Sequence, residues 1–416
     1  MAVDLRGLRC RELKPGAPRP AQSANETIRA ALDAPLAGVT VTDLARGRRN
    51  VVVLVPDATR KASLPMVLPE ILADLVLAGV EPARITILIA CGTHPAATEG
   101  EVAALVGPLP SGVGVIQHDA HDDASLAVAG RLPDGRTIRL NRALIDADLV
   151  VAVSTVQHHY FAGFGGGPKL VFPGVAGYDE IQANHGRVID LTTDPARRHP
   201  CCEPGWMVGN PVAAEIAAAA RLRPPDVALL MVNGGGGTPV WAASGPLEAV
   251  FPLACDRVRE WFECDAPRLG RVVVAAGGYP SDTTLIQAHK ALDAACRFAV
   301  DGAEVLFVAA CDGGLGSPAM EPFVADPRPE AIIARLADHY VQYGHTALRI
   351  VEKTARCRIL ACTGMDEVVA RRLGFEPVAS PEAVLDNWRS SGSRGEVGVM
   401  VAGVVFPRRQ TGPAAS

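Results

Sequence analysis

The chain has 416 residues, 49% of them hydrophobic and 20% charged, with a net charge of −5 from 40 basic and 45 acidic side chains. At roughly 150 residues per domain, that length argues for two or three domains rather than one core. The near balance of charge excludes a disordered polyelectrolyte and leaves no bulk basic character for binding nucleic acid. No apolar run reaches the roughly 18 residues that span a bilayer, and the opening MAVDLRGLRCRELKPG lacks a signal-peptide core. The expectation is a cytoplasmic protein with no membrane or nucleic-acid partner. Ten cysteines occur without a CxxC pair or zinc-type spacing, and most are expected to be reduced and structural.

In chain order, short β-branched runs recur between stretches of helical pattern: NVVVLVPD from Asn50, RITILIAC from Arg84, GVGVIQHD from Gly112, DLVVAVS from Asp148 and DVALLMVNG from Asp226. They read as buried parallel strands. LPMVLPEILADLVLAG reads as a helix closed by Gly79, so the rhythm is strand, helix, strand. A second series follows in RVVVAAGG, EVLFVAACDGG, RILACTG and VGVMVAGVV. The fold class is therefore α/β, with two domains of parallel-rich sheets flanked by helices and an active site expected in the cleft between them. The turn-rich CDAPRLGR marks the expected boundary, giving domains 1–266 and 267–416.

Chemistry is concentrated at the ends of these strands. NVVVLVPD runs into ATRK, so Asp57 and Arg60 leave the carboxyl end of a strand, where open α/β sheets bind ligands. Arg60 suits a phosphate or carboxylate, and Asp57 a sugar hydroxyl; a helix cap with a surface ion pair is the simpler reading of the same residues. RITILIAC ends in GTHP, which sets His94 on the same rim as a proton carrier. HDAHDD, His118 to Asp123, resembles a metal cluster but suits a solvated strand end.

The richest stretch, HHYFAGFGGGPKLVFPGVAGYDEIQANH, follows the strand DLVVAVS. Its glycines, Gly166 and Gly167 among them, let backbone approach a ligand, and Lys169 closes the turn. It is not a Walker loop, because Leu170 rather than Ser or Thr follows the lysine. His185 ends a helix-like GYDEIQANH and, as a metal ligand, would need a cofactor to supply the other donors. Further on, in GGYPSDTTLIQAHK, Ser281, Asp282 or Thr283 can cap a helix, and Gln287 and Lys290 share one of its faces.

Taken together, DATR, CGTHP, HYFAGFGGGPK, GVAGYDEIQANH and GGYPSDTTLIQAHK resemble the nickel-dependent lactate racemase family, whose members use a nickel-pincer nucleotide. The resemblance implies that Lys169 tethers that cofactor covalently, that His185 is the protein ligand to nickel, and that Asp57, Arg60, Gly166 and Gly167 bind the nucleotide. It implies His94 and His159 as the paired acid/base residues, Gln287 and Lys290 as substrate contacts, and cofactor-biosynthesis proteins as loading partners. The implied reaction inverts Cα of a 2-hydroxy acid by hydride transfer to and from the pincer ring. Where lactate racemases carry a tyrosine before the glutamine this chain has Ile286. Their tryptophan has no counterpart beyond Tyr343, and Gly165 replaces a serine. The substrate is therefore not restricted to lactate. His289 and His345 could add polarity there, though surface positions are the simpler expectation. A non-catalytic nucleotide- or nickel-binding protein of the same fold is the alternative. A nicotinamide dehydrogenase would need GxGxxG where VPDATRK stands, and a hydrolase would need a GxSxG elbow.

Overall fold

The computed structural model describes residues 4–16, 22–58, 60, 62–234, 237–391, 395–401 and 405–408. They form two compact units. One takes the described residues of Ala17–Arg187 and Pro200–Val258; the other takes those up to Gly16, Val188–His199 and those from Arg259 on.

The first unit is built on strands β1 (Val51–Pro56), β2 (Ile85–Ala90), β3 (Gly114–Gln117) and β4 (Leu149–Thr155). It adds the short hairpin strands β5 (Gln157–His159) and β6 (Gly163–Gly165), then β7 (Val227–Asn233) and β8 (Pro239–Gly245). The main sheet runs β8-β7-β4-β1-β2-β3, parallel throughout except for β8, which lies antiparallel to β7 at the edge. Every residue of β1 and β4 is buried. That is why their sequences are continuous runs of Val, Leu and Ala rather than alternating patterns. Helix α1 (Leu64–Leu77) connects β1 to β2 and buries Val67, Leu68, Ile71 and Leu75 on the sheet. Gly79, at φ +89°, lets the chain turn out of it.

Chain order in this sheet passes outward from β1 through β2 to β3, then returns to β4 on the other side of β1. Loops leaving β1 and β4 therefore diverge in opposite directions, opening a crevice at the strands' carboxyl ends. Helices α2 (Tyr178–Gly186) and α3 (Pro211–Ala220) also lie in this unit, as does α4 (Leu247–Phe262) up to Val258. An ion pair from Arg139 to the buried Glu180, at 2.6 Å, fastens α2.

In the second unit lie β9 (Leu269–Ala275), α5 (Leu285–Cys296), β10 (Ala299–Val308), α6 (Gly344–Arg356), β11 (Arg358–Cys362), β12 (Phe375–Pro377) and β13 (Val397–Val401). Its sheet is parallel throughout, in the order Cys10–Leu13, β13, β9, β10, β11, β12. The strand Cys10–Leu13, absent from the sequence reading, ties the start of the chain to this unit. Two apolar residues among its four gave no pattern to read. Helix α5 begins one residue later than expected: Thr284 is its cap, and no side chain there bonds the first turn. Among the described residues no helix is long and apolar enough to cross a membrane.

Asp293 of α5 sits at the centre of this unit, its side chain 1% exposed, with Arg349 at 2.8 Å, Arg297 at 3.1 Å and Lys353 in contact. Burial alone would raise its pKa, but Arg297, Arg349 and Lys353 together hold the carboxyl well below its ordinary range. Removing the carboxylate would leave buried cations without a counter-charge. Asp293→Ala is expected to destabilise the chain by about 3–5 kcal/mol, read as a lowered denaturant midpoint.

Candidate functional site

The crevice at the ends of β1, β2 and β4 gathers the candidate residues of the first unit. Asp57 follows β1 directly, and a turn in which the Arg60 amide bonds the Asp57 carbonyl at 3.1 Å carries the chain to Arg60. His94 follows β2 in a turn closed by its amide on the Cys91 carbonyl. Its Nδ1 meets the Asp57 carboxylate, Oδ2, in an ion-pair contact. The sequence put the two on one rim, and the structure couples them.

Beyond β4 the chain turns back on its own strand. Ser154 Oγ accepts a 2.9 Å hydrogen bond from the Gly167 amide, drawing the glycine turn against the strand end. Gly166 sits at φ +79°, and a Cβ there would lie 2.0 Å from the Thr155 carbonyl oxygen. At Gly167 a Cβ would lie 2.4 Å from the ring of Phe251 on α4. No side chain fits at either position, so the turn is closed only because both are glycine. The Gly92 amide then bonds the Gly174 carbonyl at 2.8 Å, which pins the His94 loop to the far end of the same segment.

Phe161, 3% exposed, joins the remaining groups. Its ring meets the His159 imidazole edge-on at 4.6 Å and that of His185 at 5.2 Å, and the Lys169 Nζ lies 5.8 Å from its centroid. Lys169 keeps part of its surface in contact with solvent, yet burial, reinforced by the charge of Arg60, pushes its ammonium down to about 7. Its amine is thus substantially uncharged at neutral pH, the state a nucleophile needs. Burial and then the charge of Lys169 push His185 down to about 3, against the opposing bond to the Ile181 carbonyl. That bond, Nδ1 to the Ile181 oxygen at 2.9 Å, requires Nδ1 to carry the proton, since a carbonyl only accepts. The Nε2 lone pair of a neutral His185 is the one available for metal coordination, oriented by the helix backbone.

Other sequence candidates fall elsewhere. His118 is buried and structural, its Nε2 2.9 Å from the Ala176 carbonyl and its Nδ1 3.2 Å from the Asn141 amide nitrogen. Among the described residues no group of three or more His, Cys, Asp or Glu could hold a metal by itself. Any metal at His185 would need donors from a cofactor. Gln287 and Lys290 lie on α5 in the second unit, with Lys290 Nζ donating to Gln287 Oε1 at 2.7 Å, as their spacing predicted. His289 and His345 are buried, at 2% exposure each, rather than on the surface. His289 bonds the Ile286 carbonyl, and His345 bonds the Tyr340 hydroxyl at 2.7 Å. All ten cysteines are free thiols, as expected.

Sequence reasoning missed Ser154, Phe161 and Phe251 as parts of this site. Ser154 had a faint signal, a hydroxyl closing an otherwise apolar strand. Phe251 had none, because it arrives from a helix more than eighty residues downstream of Gly167.

The model of the lactate racemase N-terminal domain matches residues 4–194. A lactate racemase from Lactiplantibacillus plantarum is 31% identical over 307 residues, covering 73% of this chain and 70% of that protein. One from Thermoanaerobacterium thermosaccharolyticum is 30% identical over the same shares of both chains. Among solved structures, the lactate racemase apoprotein from the latter organism superposes with a TM-score of 0.85 over 98% of this chain and 97% of that one, at 24% identity. A Thermotoga maritima protein superposes with a TM-score of 0.67 over 92% and 97%, at 17% identity. At those identities the two superpositions speak to the fold.

A lysine lowered to about 7 in the folded chain, against its ordinary 10.5, binds fewer protons folded than unfolded across that interval. Stability therefore rises with pH through the interval, as the penalty for a buried ammonium is relieved. Lys169→Met abolishes that contribution. Denaturant midpoints of both chains are expected to show the parent gaining on the variant between about pH 7 and 10. A constant difference would mean that Lys169 titrates as an ordinary lysine.

Proposed function

The chain belongs to the lactate racemase family, and from that premise we propose that it inverts Cα of a 2-hydroxy acid with a nickel-pincer nucleotide held at Lys169 and His185. Racemase chemistry is what the family supports in general. The cofactor, its tether and the individual residue roles are this reading's own. What supports them most is the arrangement around Phe161: a substantially uncharged lysine amine, a neutral histidine with an oriented Nε2, and a second imidazole.

The residues fit such a group in three respects. A depressed lysine is suited to covalent attachment, and an imidazole Nε2 backed by a carbonyl suits a metal whose other donors come with the cofactor. Gly166 and Gly167 close the turn that carries Lys169, with Arg60 suited to meet the nucleotide's phosphate and Asp57 its ribose. When bound, the pincer nucleotide would supply the hydride acceptor that no side chain offers.

The chain's own part is proton handling and orientation. His94 and His159 deal with the hydroxyl proton as the alcohol passes to a planar 2-keto acid and back. Gln287 and Lys290, already paired, present an amide donor and an ammonium to the substrate carboxylate. Ile286, Tyr343 and Gly165 stand where lactate racemases differ, so the acid is not restricted to lactate and extends to larger or more polar ones, sugar acids included. Proteins that make and insert the cofactor are the expected partners.

The test is nickel per chain in protein produced beside the cofactor pathway. The expectation is about one nickel in the parent, a covalent mass adduct absent from Lys169→Ala, and nickel lost from His185→Ala, with racemisation abolished in both. Full racemisation surviving in either variant would reject the reading.

A further inference from the structure

In the second unit the ends of α5 and α6 meet at a pair of thiols. Cys296 is the last residue of α5, and Cys357 follows α6, its amide bonding the Lys353 carbonyl at 2.7 Å. Arg356, beside Cys357, draws the two ends together. Its guanidinium bonds the carbonyl of Cys296 and, at 3.0 Å, that of Ala299. The two thiols share a hydrogen bond with each other, and the Cys357 Sγ lies 3.8 Å from the Val300 carbonyl oxygen of β10. Cys296 is 1% exposed and Cys357 3%, so only a small reagent reaches them. No part of the reaction proposed above uses either sulfur.

Their surroundings make the two unequal. The shared hydrogen bond, and then burial, push the Cys296 thiol well above its ordinary range. The same hydrogen bond, opposed by burial and aided by the charge of Arg356, holds Cys357 down at about 7. Cys357 is thus the member that reaches the nucleophilic thiolate near neutral pH, while Cys296 keeps its proton and donates. A thiolate beside a cation, with a second thiol in contact, is the arrangement of an attacking and a resolving cysteine.

We propose that Cys296 and Cys357 form an oxidation site at which hydrogen peroxide makes a disulfide, joining the end of α5 to the end of α6. The Cys357 thiolate attacks one peroxide oxygen; an S–O bond forms, the O–O bond breaks, and the hydroxide that leaves is protonated by solvent. The Cys296 sulfur then attacks the sulfenic sulfur of Cys357. An S–S bond forms, the S–O bond breaks, and the departing hydroxide takes the Cys296 proton and leaves as water. The two thiols lose two electrons and the peroxide gains them. The bond would add a covalent tie, reversible by thiol reductants, where Asp293 already joins α5 to Arg349 and Lys353 of α6.

The full-length chain, reduced and then freed of reductant, is treated with hydrogen peroxide near neutral pH. Remaining thiols are alkylated and the chain is mapped by mass spectrometry without reduction. The expected product joins the peptides of Cys296 and Cys357, two hydrogens lighter than their sum, and dithiothreitol separates them. The oxidised chain is expected to unfold at a higher temperature than the reduced one. In Cys357→Ser the link disappears and Cys296 is recovered as an alkylated thiol; in Cys296→Ser, Cys357 is captured by dimedone as the sulfenic acid. The exposed Cys10 serves as the control for ordinary peroxide reactivity. Oxidation of Cys10 while Cys296 and Cys357 both remain alkylatable would overturn the proposal, as would a link from either cysteine to a different one. Mapping of the parent chain decides the matter whether or not the variants fold, and it needs no cofactor.

Discussion

The missing side chains at Gly166 and Gly167 are the constraint on which the site depends. They allow the segment after β4 to reverse against its own strand end, where Ser154 holds it and Phe251 packs beneath it. That reversal fixes Lys169 beside Phe161 and sends the chain on to α2, whose last turn carries His185. A Cβ at Gly166 would meet the Thr155 backbone and one at Gly167 the buried ring of Phe251, so either would force its surroundings to shift. The lysine, the nickel-ligand candidate and the buried ring between them would all be displaced together.

Burial then converts position into chemistry. Lys169 and His185 are ordinary residues whose proton affinities fall because their surroundings exclude water, with the charge of Arg60 adding to the effect at Lys169 and that of Lys169 at His185. The cost of keeping a charge in such a place is avoided by losing the proton, which yields the amine and the imidazole that covalent attachment and metal coordination require. Asp57 and Ala162 contact two similar rings: Nδ1 of His94 meets the Asp57 carboxylate, and the Ala162 amide donates to Nδ1 of His159 at 3.2 Å. Histidines that look equivalent in the sequence become distinct in the fold.

The second unit shows the same economy with a different outcome. Its buried charges, Asp293 with Arg297, Arg349 and Lys353, satisfy one another and hold α5 to α6. Gln287 and Lys290 occupy the same helix as that anchor, so the rigidity of the charge cluster extends to the pair proposed to meet the substrate.

Much of this was legible in the chain itself. Continuous β-branched runs marked the parallel strands because a strand covered on both faces has no polar side to alternate with. The separated motifs DATR, CGTHP and HYFAGFGGGPK carried the family because each is a short backbone device whose residues are adjacent in sequence. Cys10–Leu13 and Thr284 were misread for the complementary reason: a four-residue strand has no periodicity, and a cap without a side-chain bond leaves no chemical mark. Only the tertiary structure decided that Asp57 belongs to His94, that His289 and His345 are buried, and that Phe161 and Phe251 complete the site. Contacts of that kind join residues remote along the chain, and a one-dimensional pattern records which groups are present but not which of them meet.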